Sequence, residues 1–383
     1  METVRFNRVT FLKTLEVGGQ CVSDGKGVPM MKQVRVTIKD SRVKIESTSE
    51  ISSVRSFGDC ISAGEDFAFC IGFKEFFGYI KAISSGEFSI TKKQDEIIIE
   101  HEDGETSLPC FPAIDFPEAA KPEADLPQCR IDGAMFRHWL ASSKNFVAND
   151  TLRPNINGIN LVANRGKLYF AASDSKALIF EEVDFDPSAE FDFIIDSKAF
   201  PAILSVVHDC DMITMMVSST TVFLSMPSAK MSVRRTVGQF PKVKTIMPTF
   251  TPLTAVVSKD KLNDAIQRIR VSTSEVGARV KFSFSDGLLG LIFEDLINRR
   301  YGKEQLEIDY AGEEPIEISF NVNNFNKCLS AIECKNIKIG MTHPTKPAVL
   351  YDADGEEAGL KTMLTPVLFN VPAKAAEDPK ANK

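Results

Sequence analysis

The residues of this chain whose type and spacing invite chemistry are lysines and arginines, and the chemistry is contact with a polyanion. Six segments with helical periodicity, 8–18, 73–83, 133–146, 196–207, 258–270 and 321–332, hold twelve positive charges: Arg8, Lys13, Lys74, Lys81, Arg137, Lys144, Lys198, Lys259, Lys261, Arg268, Arg270 and Lys327. Five acids stand against them: Glu16, Glu75, Asp196, Asp260 and Asp264. The segments therefore carry +7, and the rest of a chain with net charge −7 carries −14. Net acidity argues against a protein that simply coats nucleic acid. Basic helices on an acidic chain can still present one positive surface. None of these segments is an arginine-rich base reader, so the pattern points to phosphate contact without sequence readout. The competing reading is a solvated face, common for lysines on amphipathic helices. Recurrence of one sign on helix after helix weighs against it.

Other chemistry finds no residues. The four histidines, His101, His138, His208 and His343, share no ligand-like spacing, so no zinc site is expected. Eight cysteines form no CxxC pair, and the opening METVRFNRVTFLKTLEV is no secretory signal. Reduced thiols and a cytoplasmic location are the expectation. Asp352-Ala353-Asp354-Gly355 lacks the third acid and the bidentate glutamate of a calcium loop and reads as a turn. No GxGxxG, P-loop or GxSxG motif occurs. The chain is predicted to be no enzyme, with no metal or cofactor. No run of 18 or more apolar residues occurs, so no membrane-spanning helix is expected.

The elements that must position the basic residues repeat three times. Helical spacing appears in 6–17 (Val9, Leu12, Leu15, Val17), 131–146 (Met135, Trp139, Leu140, Phe146) and 257–271 (Leu262, Ile266, Ile269), the last with Ser258 as its expected N-cap. A period-2 strand pair follows each, around Asp40-Ser41, Asn164-Arg165-Gly166 and Asp286-Gly287. A second helix comes next, at 73–84, 197–208 and 321–332, and Pro201 suits a first helical turn. A last hairpin closes each unit. The hairpin turns recur at about 120–125 residues, well beyond solenoid periods. The fold class is α+β, three variations of one domain: 1–125, 126–250 and 251–369, with 370–383 read as a disordered tail. FPAIDFP at 111–117 and GQFPKVKTIMP at 238–248 mark the first two exits.

Four stretches, LRPNINGINL (152–161), KLYFAASDSKALIFEEV (167–183), GQFPKVKTIMP (238–248) and IEISFNVNNFNKCLSAIECKNIKIGMT (316–342), together resemble the bacterial DNA polymerase III beta subunit, the sliding clamp. The resemblance runs in order through about Phe369. It implies three DNA-clamp (processivity-fold) domains per chain and a homodimeric head-to-tail ring lined by helices and walled by sheets. It implies sequence-independent binding of double-stranded DNA, processivity in replication, and a polymerase, a clamp loader and repair proteins as partners. A ring needs only weak phosphate contacts, because topology supplies the residence time. The alternative is a clamp-derived scaffold or decoy that binds replication peptides without serving a polymerase.

The same resemblance assigns residues. DNA contacts fall on Lys26, on Asn149 and Arg153, and on the basic helices through Lys198 and Arg268. Pro154 and Asn155 stand where the family often has aromatics. A groove for short linear peptides falls on Ile156, Ser173, Ser175, Lys176 and Leu178, then on Pro241, Thr245 and Ile246. Asn321 and Asn324 follow, with Thr362, Leu364, Thr365, Pro366 and Val367 from the last strand. Ala177 stands where the family has an arginine, so an altered peptide preference is expected. The opposing reading makes Ile156, Leu178 and Ile246 ordinary core. The ring seam falls on Thr106, Val271 and Ser272, with Phe76 and Phe77 available to compensate for a less apolar joint.

Overall fold

A computed structural model describes residues 2–23, 28–62, 65–185, 190–208, 210–248, 250–273, 278–295, 298–355 and 359–367. Lys26 and the tail at 370–383 lie outside these. Seven α-helices occur among the described residues: α1 Arg8–Gly18, α2 Phe73–Ala82, α3 Gly133–Ser143, α4 Phe200–Val206, α5 Val243–Ile246, α6 Lys259–Ser272 and α7 Val322–Ser330. Among the described residues no helix is long and apolar enough to cross a membrane. The α+β class and the antiparallel sheets agree with the sequence reading.

Contacts gather the chain into two compact units, and the division runs through the middle repeat. The first comprises Met1–Lys144, Gly158–Lys167 and Phe185–Gly238, the second Asn145–Asn157, Leu168–Asp184 and Gln239–Lys383. In the first unit, eight strands form one sheet in the order Phe67–Gly72, Gln33–Lys39, Arg42–Thr48, Ser52–Asp59, Ala229–Arg234, Thr221–Ser225, Met212–Val217, Gln128–Asp132. Repeats one and two join in it where Ser56 faces Ala229 and Ser52 faces Val233. A second sheet runs Glu2–Asn7, Glu87–Lys92, Glu96–His101, Gly104–Pro109. In the second unit, repeats two and three join where Ala177 faces Leu364 and Phe180 faces Lys361. Its four-stranded sheet runs Arg300–Glu307, Leu288–Asp295, Arg279–Ser285, Ile316–Asn321.

The turns follow their chemistry. Asp40 and Ser41 take φ of 52° and 58° between strands that pair Lys39 with Arg42, the geometry of a two-residue hairpin loop. Gly287 takes 69° in the third repeat's hairpin. Asn7 caps α1 by accepting from the amides of Val9 and Thr10, and Asp132 caps α3 through the amide of Met135. Ser258 occupies the matching position before α6, but its side chain makes no cap bond. There the amide of Lys259 donates to the Lys335 carbonyl at 3.0 Å. The equivalent backbone bonds, Arg8 to Gly86 and Gly133 to Asp211, repeat in the other two units. A Cβ on residue 133 would stand 2.0 Å from the Cys210 carbonyl oxygen, so this closure requires glycine.

Two helix faces differ from their periodic reading. Phe6 lies in strand Glu2–Asn7, and α1 buries Phe11, Thr14, Leu15 and Gly18 while Val9 is 53% exposed. The first repeat's core is aromatic, with Phe11 packed on Phe6, Phe88 and Phe76 at 4.7, 5.1 and 6.0 Å between ring centroids. In α3 the buried face includes Phe136, Trp139 and Leu140, with Met135 only half-buried. The α6 face is as expected: Leu262, Ile266 and Ile269 are buried. Pro201 lies in the first turn of α4.

The first Phe-Pro exit does more than end a domain. Phe116 is buried beneath the Arg35 guanidinium, 5.2 Å from its ring centroid. Arg35 pairs with buried Glu46 at 2.8 Å and with Glu118 at 2.6 Å. Its hydrogen bond holds the Glu118 carboxyl below the ordinary range. Arg55 donates to the carbonyls of Ala119 and Ala120, both at 3.0 Å. The linker is thereby fastened to the sheet that joins repeats one and two.

Candidate functional site

Located one by one, the basic residues divide into two classes. Three tie each repeat together. Arg8 of α1 donates to the carbonyls of Ile80 and Lys81 at the end of α2, at 3.4 and 2.8 Å. Arg137 of α3 donates to those of Val207 and Cys210, just past α4, at 2.7 and 2.9 Å. Lys259 of α6 reaches the Ile332 carbonyl, just past α7, at 2.5 Å. Each cation thus satisfies the orphan carbonyls at the negative end of its partner helix. Arg268 is held by Glu304 through two nitrogens at 3.0 and 2.7 Å, and this bond keeps the Glu304 carboxyl below its usual range. Its charge is therefore paired within the chain, although the side chain stays exposed. Arg270 bonds Asn323 and Gln267.

Six lysines remain exposed: Lys13, Lys74, Lys81, Lys144, Lys198 and Lys261. None has an ion-pair partner among the described residues, and Lys81 Nζ lies 5.8 Å from the Phe77 ring centroid. Exposed Glu16, Glu75, Asp260 and Asp264 accompany them, so the positive surplus is smaller than the sequence count. Asn149 and Arg153 are exposed on a pinned loop. Asp150 accepts from the amides of Leu152 and Arg153 and from the Arg153 guanidinium at 2.8 Å, which lowers its carboxyl's pKa. Leu152 stands 91% exposed at the tip.

The expected groove residues lie in the second unit, where hydrogen bonds link Ser173 to Ser175, Lys176 to Thr365 and Asn321 to Asn324. The turn after strand Lys167–Ser173 carries Ser175 at φ 74°, a left-handed conformation that costs a non-glycine residue about 1–3 kcal/mol. Several bonds hold it. Asp174 Oδ1 accepts from the amides of Lys176 and Ala177 at 2.9 and 2.8 Å. Ser173 Oγ accepts from the Ser175 amide and donates to the Ala177 carbonyl. Arg153 Nη1 donates to Ser175 Oγ at 3.1 Å. The Thr365 amide and hydroxyl both donate to the Lys176 carbonyl, at 3.0 and 3.1 Å. Lys327 of α7 completes the set, with Nζ 2.6 Å from Asp174 Oδ2 and 5.1 Å from the Phe146 ring centroid.

Around this turn the expected residues separate into surface and support. Thr245 is exposed, as is Ile246 (45%), both on the single helical turn α5. Ser175, Lys176 and Val367 are exposed, and Pro241 and Pro366 are half-buried. The Val367 amide is anchored to the Ser319 carbonyl at 2.8 Å, and Asn155 donates to the Gln239 carbonyl at 2.7 Å. Ile156, Leu178, Leu364, Ser173 and Thr362 are each less than 10% exposed. Ile156 and Leu178 are thus as buried as core residues, and Ile246 is not. The Thr362 hydroxyl donates to the Cys328 carbonyl. Burial pushes the Cys328 thiol up to about 12, so this cysteine stays protonated. Asn321 is half-buried and uses its side-chain oxygen to cap α7 through the amides of Asn323 and Asn324. Asn324 is half-buried.

At the expected seam, Val271 is 85% exposed and Ser272 half-buried at the end of α6, and Thr106 is half-buried on edge strand Gly104–Pro109. Arg300 Nη1 donates to the Ser272 carbonyl at 3.4 Å, which sets the end of α6 beside edge strand Arg300–Glu307. Tyr301 on that strand is 63% exposed and was not singled out from the sequence. Phe76 cannot compensate for a less apolar seam, because it is fully buried against Phe11 and Phe69. Among the described residues no group of three or more His, Cys, Asp or Glu side chains is placed to hold a metal ion.

Two sequence models match the chain: the N-terminal domain of the DNA polymerase III beta subunit over residues 3–120, and its C-terminal domain over 244–366. The beta sliding clamp of Haemophilus influenzae is 20% identical over 343 residues, 88% of this chain and 92% of its own length. That of Rickettsia bellii is 23% identical, over 89% and 93%. A sliding-clamp structure from Pseudomonas aeruginosa, bound to griselimycin, superposes with a TM-score of 0.89 at 17% identity, over 96% of this chain and all of that one. The matched domains lie at the two ends of the chain and together span more than half of it, in the family's order, so the chain belongs to the DNA polymerase III beta subunit family.

Proposed function

We propose that this sliding clamp of DNA replication closes head to tail with a second copy around duplex DNA and docks its partners in the groove beside Ser175 and Ile246. It confers processivity and is no catalyst. In this reading each chain supplies three clamp domains, 1–125, 126–250 and 251–369, and works in the cytoplasm. The observation that carries the reading is a pair of solvent-facing sheet edges, Gly104–Pro109 and Arg300–Glu307, one in each unit. Such edges are templates for a strand from another chain. Thr106 lies on one, and Val271, Ser272 and Tyr301 accompany the other. One edge meeting the other edge of a second copy is a heterologous joint that closes after two steps.

DNA contact then falls to the exposed lysines, Lys198 among them, and to Asn149 and Arg153 on the pinned loop. Lysine ammoniums on flexible stems neutralise phosphates without fixing a register, which suits sliding. Arg268 contributes less, because Glu304 already holds it. The scaffold or decoy reading is not favoured, since relatives named beta sliding clamp match along about nine-tenths of the chain. Sedimentation of the full chain tests the ring: the expected particle has twice the chain mass. A stable monomer that still binds partner peptides would support the scaffold instead.

A further inference from the structure

We propose that the groove selects peptides that carry a carboxylate, and that Lys176 is the residue that reads it. The inference rests on the docking reading above and names the partner's chemistry at that site. Lys176 is exposed, and its ammonium has no carboxylate partner among the described residues. Its backbone is fixed on both sides, the amide by Asp174 and the carbonyl by Thr365. The preceding residue sits in a left-handed conformation held by Ser173, Asp174 and Arg153. All these bonds to residue 176 use backbone atoms, which any residue supplies. The turn therefore does not need a lysine side chain, yet it presents one from a rigid base.

The surrounding charges favour an anion. Three carboxylates of this unit already face cations: Asp150 faces Arg153, Asp174 faces Lys327, and Glu182 faces Lys244. Lys176 and exposed Lys242 at the start of α5 are left over. An extended peptide anchored at Ile246 and Val367, with an Asp or Glu facing Lys176, supplies the missing charge. The bond is charge-assisted and sits beside an apolar contact that excludes water.

The test titrates the full chain with labelled octapeptides. Each carries Leu and Phe as anchors, with Asp, Asn or Lys scanned through the other positions. Fluorescence anisotropy is read at low and physiological salt. At one position Asp should bind about tenfold tighter than Asn, with the advantage shrinking as salt rises. In Lys176→Glu that position should come to prefer Lys over Asp. An unaltered Asp preference in the variant, or Asn peptides that bind as well as Asp ones, overturns this inference alone. Absence of binding by every peptide overturns the docking reading and this inference with it. A variant that keeps the Asp preference but leaves nicked circular DNA faster identifies Lys176 as a DNA contact instead and likewise overturns it.

Discussion

Ile246→Asp abolishes peptide docking, weakening it at least about a hundredfold, and leaves the ring closed. Ile246 is 45% exposed on the one-turn helix α5, and only Val243 of that turn is buried. The aspartate can face water in the free chain, so the fold loses little. In the complex the loss is large. Covering an isoleucine side chain is worth about 1.5–3 kcal/mol. Covering an unpaired carboxylate instead carries a further desolvation cost of several kcal/mol. Their sum exceeds the roughly 2.7 kcal/mol of a hundredfold change. Ile246 belongs to neither exposed sheet edge, so the mass in solution should stay that of two chains. Peptide affinity within about threefold of the parent would remove Ile246, and the groove built around it, from the docking account.

Arg137→Met and Lys198→Met should have opposite consequences, although both residues are cations on helical segments. Arg137 makes charge-assisted bonds to the Val207 and Cys210 carbonyls. Losing them costs about 2–3 kcal/mol, because the half-buried carbonyls are only partly recovered by water. Trp139, the one tryptophan, lies two residues away and is fully buried. Its fluorescence therefore reports denaturant unfolding of this repeat. The midpoint should fall clearly in Arg137→Met and stay put in Lys198→Met. The salt dependence of DNA binding should do the reverse. Each phosphate contact adds about 0.9 to the log–log slope, and only Lys198→Met should lower it. A slope lowered by Arg137→Met would return that arginine to the DNA face.

The three-part plan was legible because its signals are local. Asp40-Ser41 and Asp286-Gly287 turn where period-2 runs meet; the caps Asn7 and Asp132 were not singled out, and Ser258, which was, makes no cap bond. Pro201 sits where a first turn tolerates it. The use of each charge was not legible. Whether an arginine faces solvent or a helix end depends on a carbonyl some seventy residues away, as with Arg8 and Lys81 or Arg137 and Val207. Periodicity also misplaced the buried face of α1, where Thr14 and Gly18 pack inward and Val9 does not. Small and hydroxylic residues carry no apolar signal, yet a close strand demands them: a Cβ on Gly18 would stand 2.6 Å from Ser56 Oγ.

The groove was legible as a set of positions and not as a division of labour. Resemblance brought Ile156, Leu178, Thr362 and Ile246 together, but the first three are buried and the fourth is exposed. The pairing of Lys327 with Asp174 went unmarked because it spans 153 residues. The Asp-Ser-Lys-Ala turn did carry a local signal, an Asx side chain bonding the amides two and three residues on. That signal could have marked Ser175 as a strained and supported position.

The central claim is that topology, not affinity, keeps this protein on DNA. The most direct measurement loads the full chain, with its clamp loader, onto nicked circular DNA and follows its residence before and after the circle is cut to a linear form. Retention on the circle, followed by prompt loss from the free ends on linearisation, is the predicted result. Equal residence on circular and linear DNA, or failure to be retained on either, would contradict it.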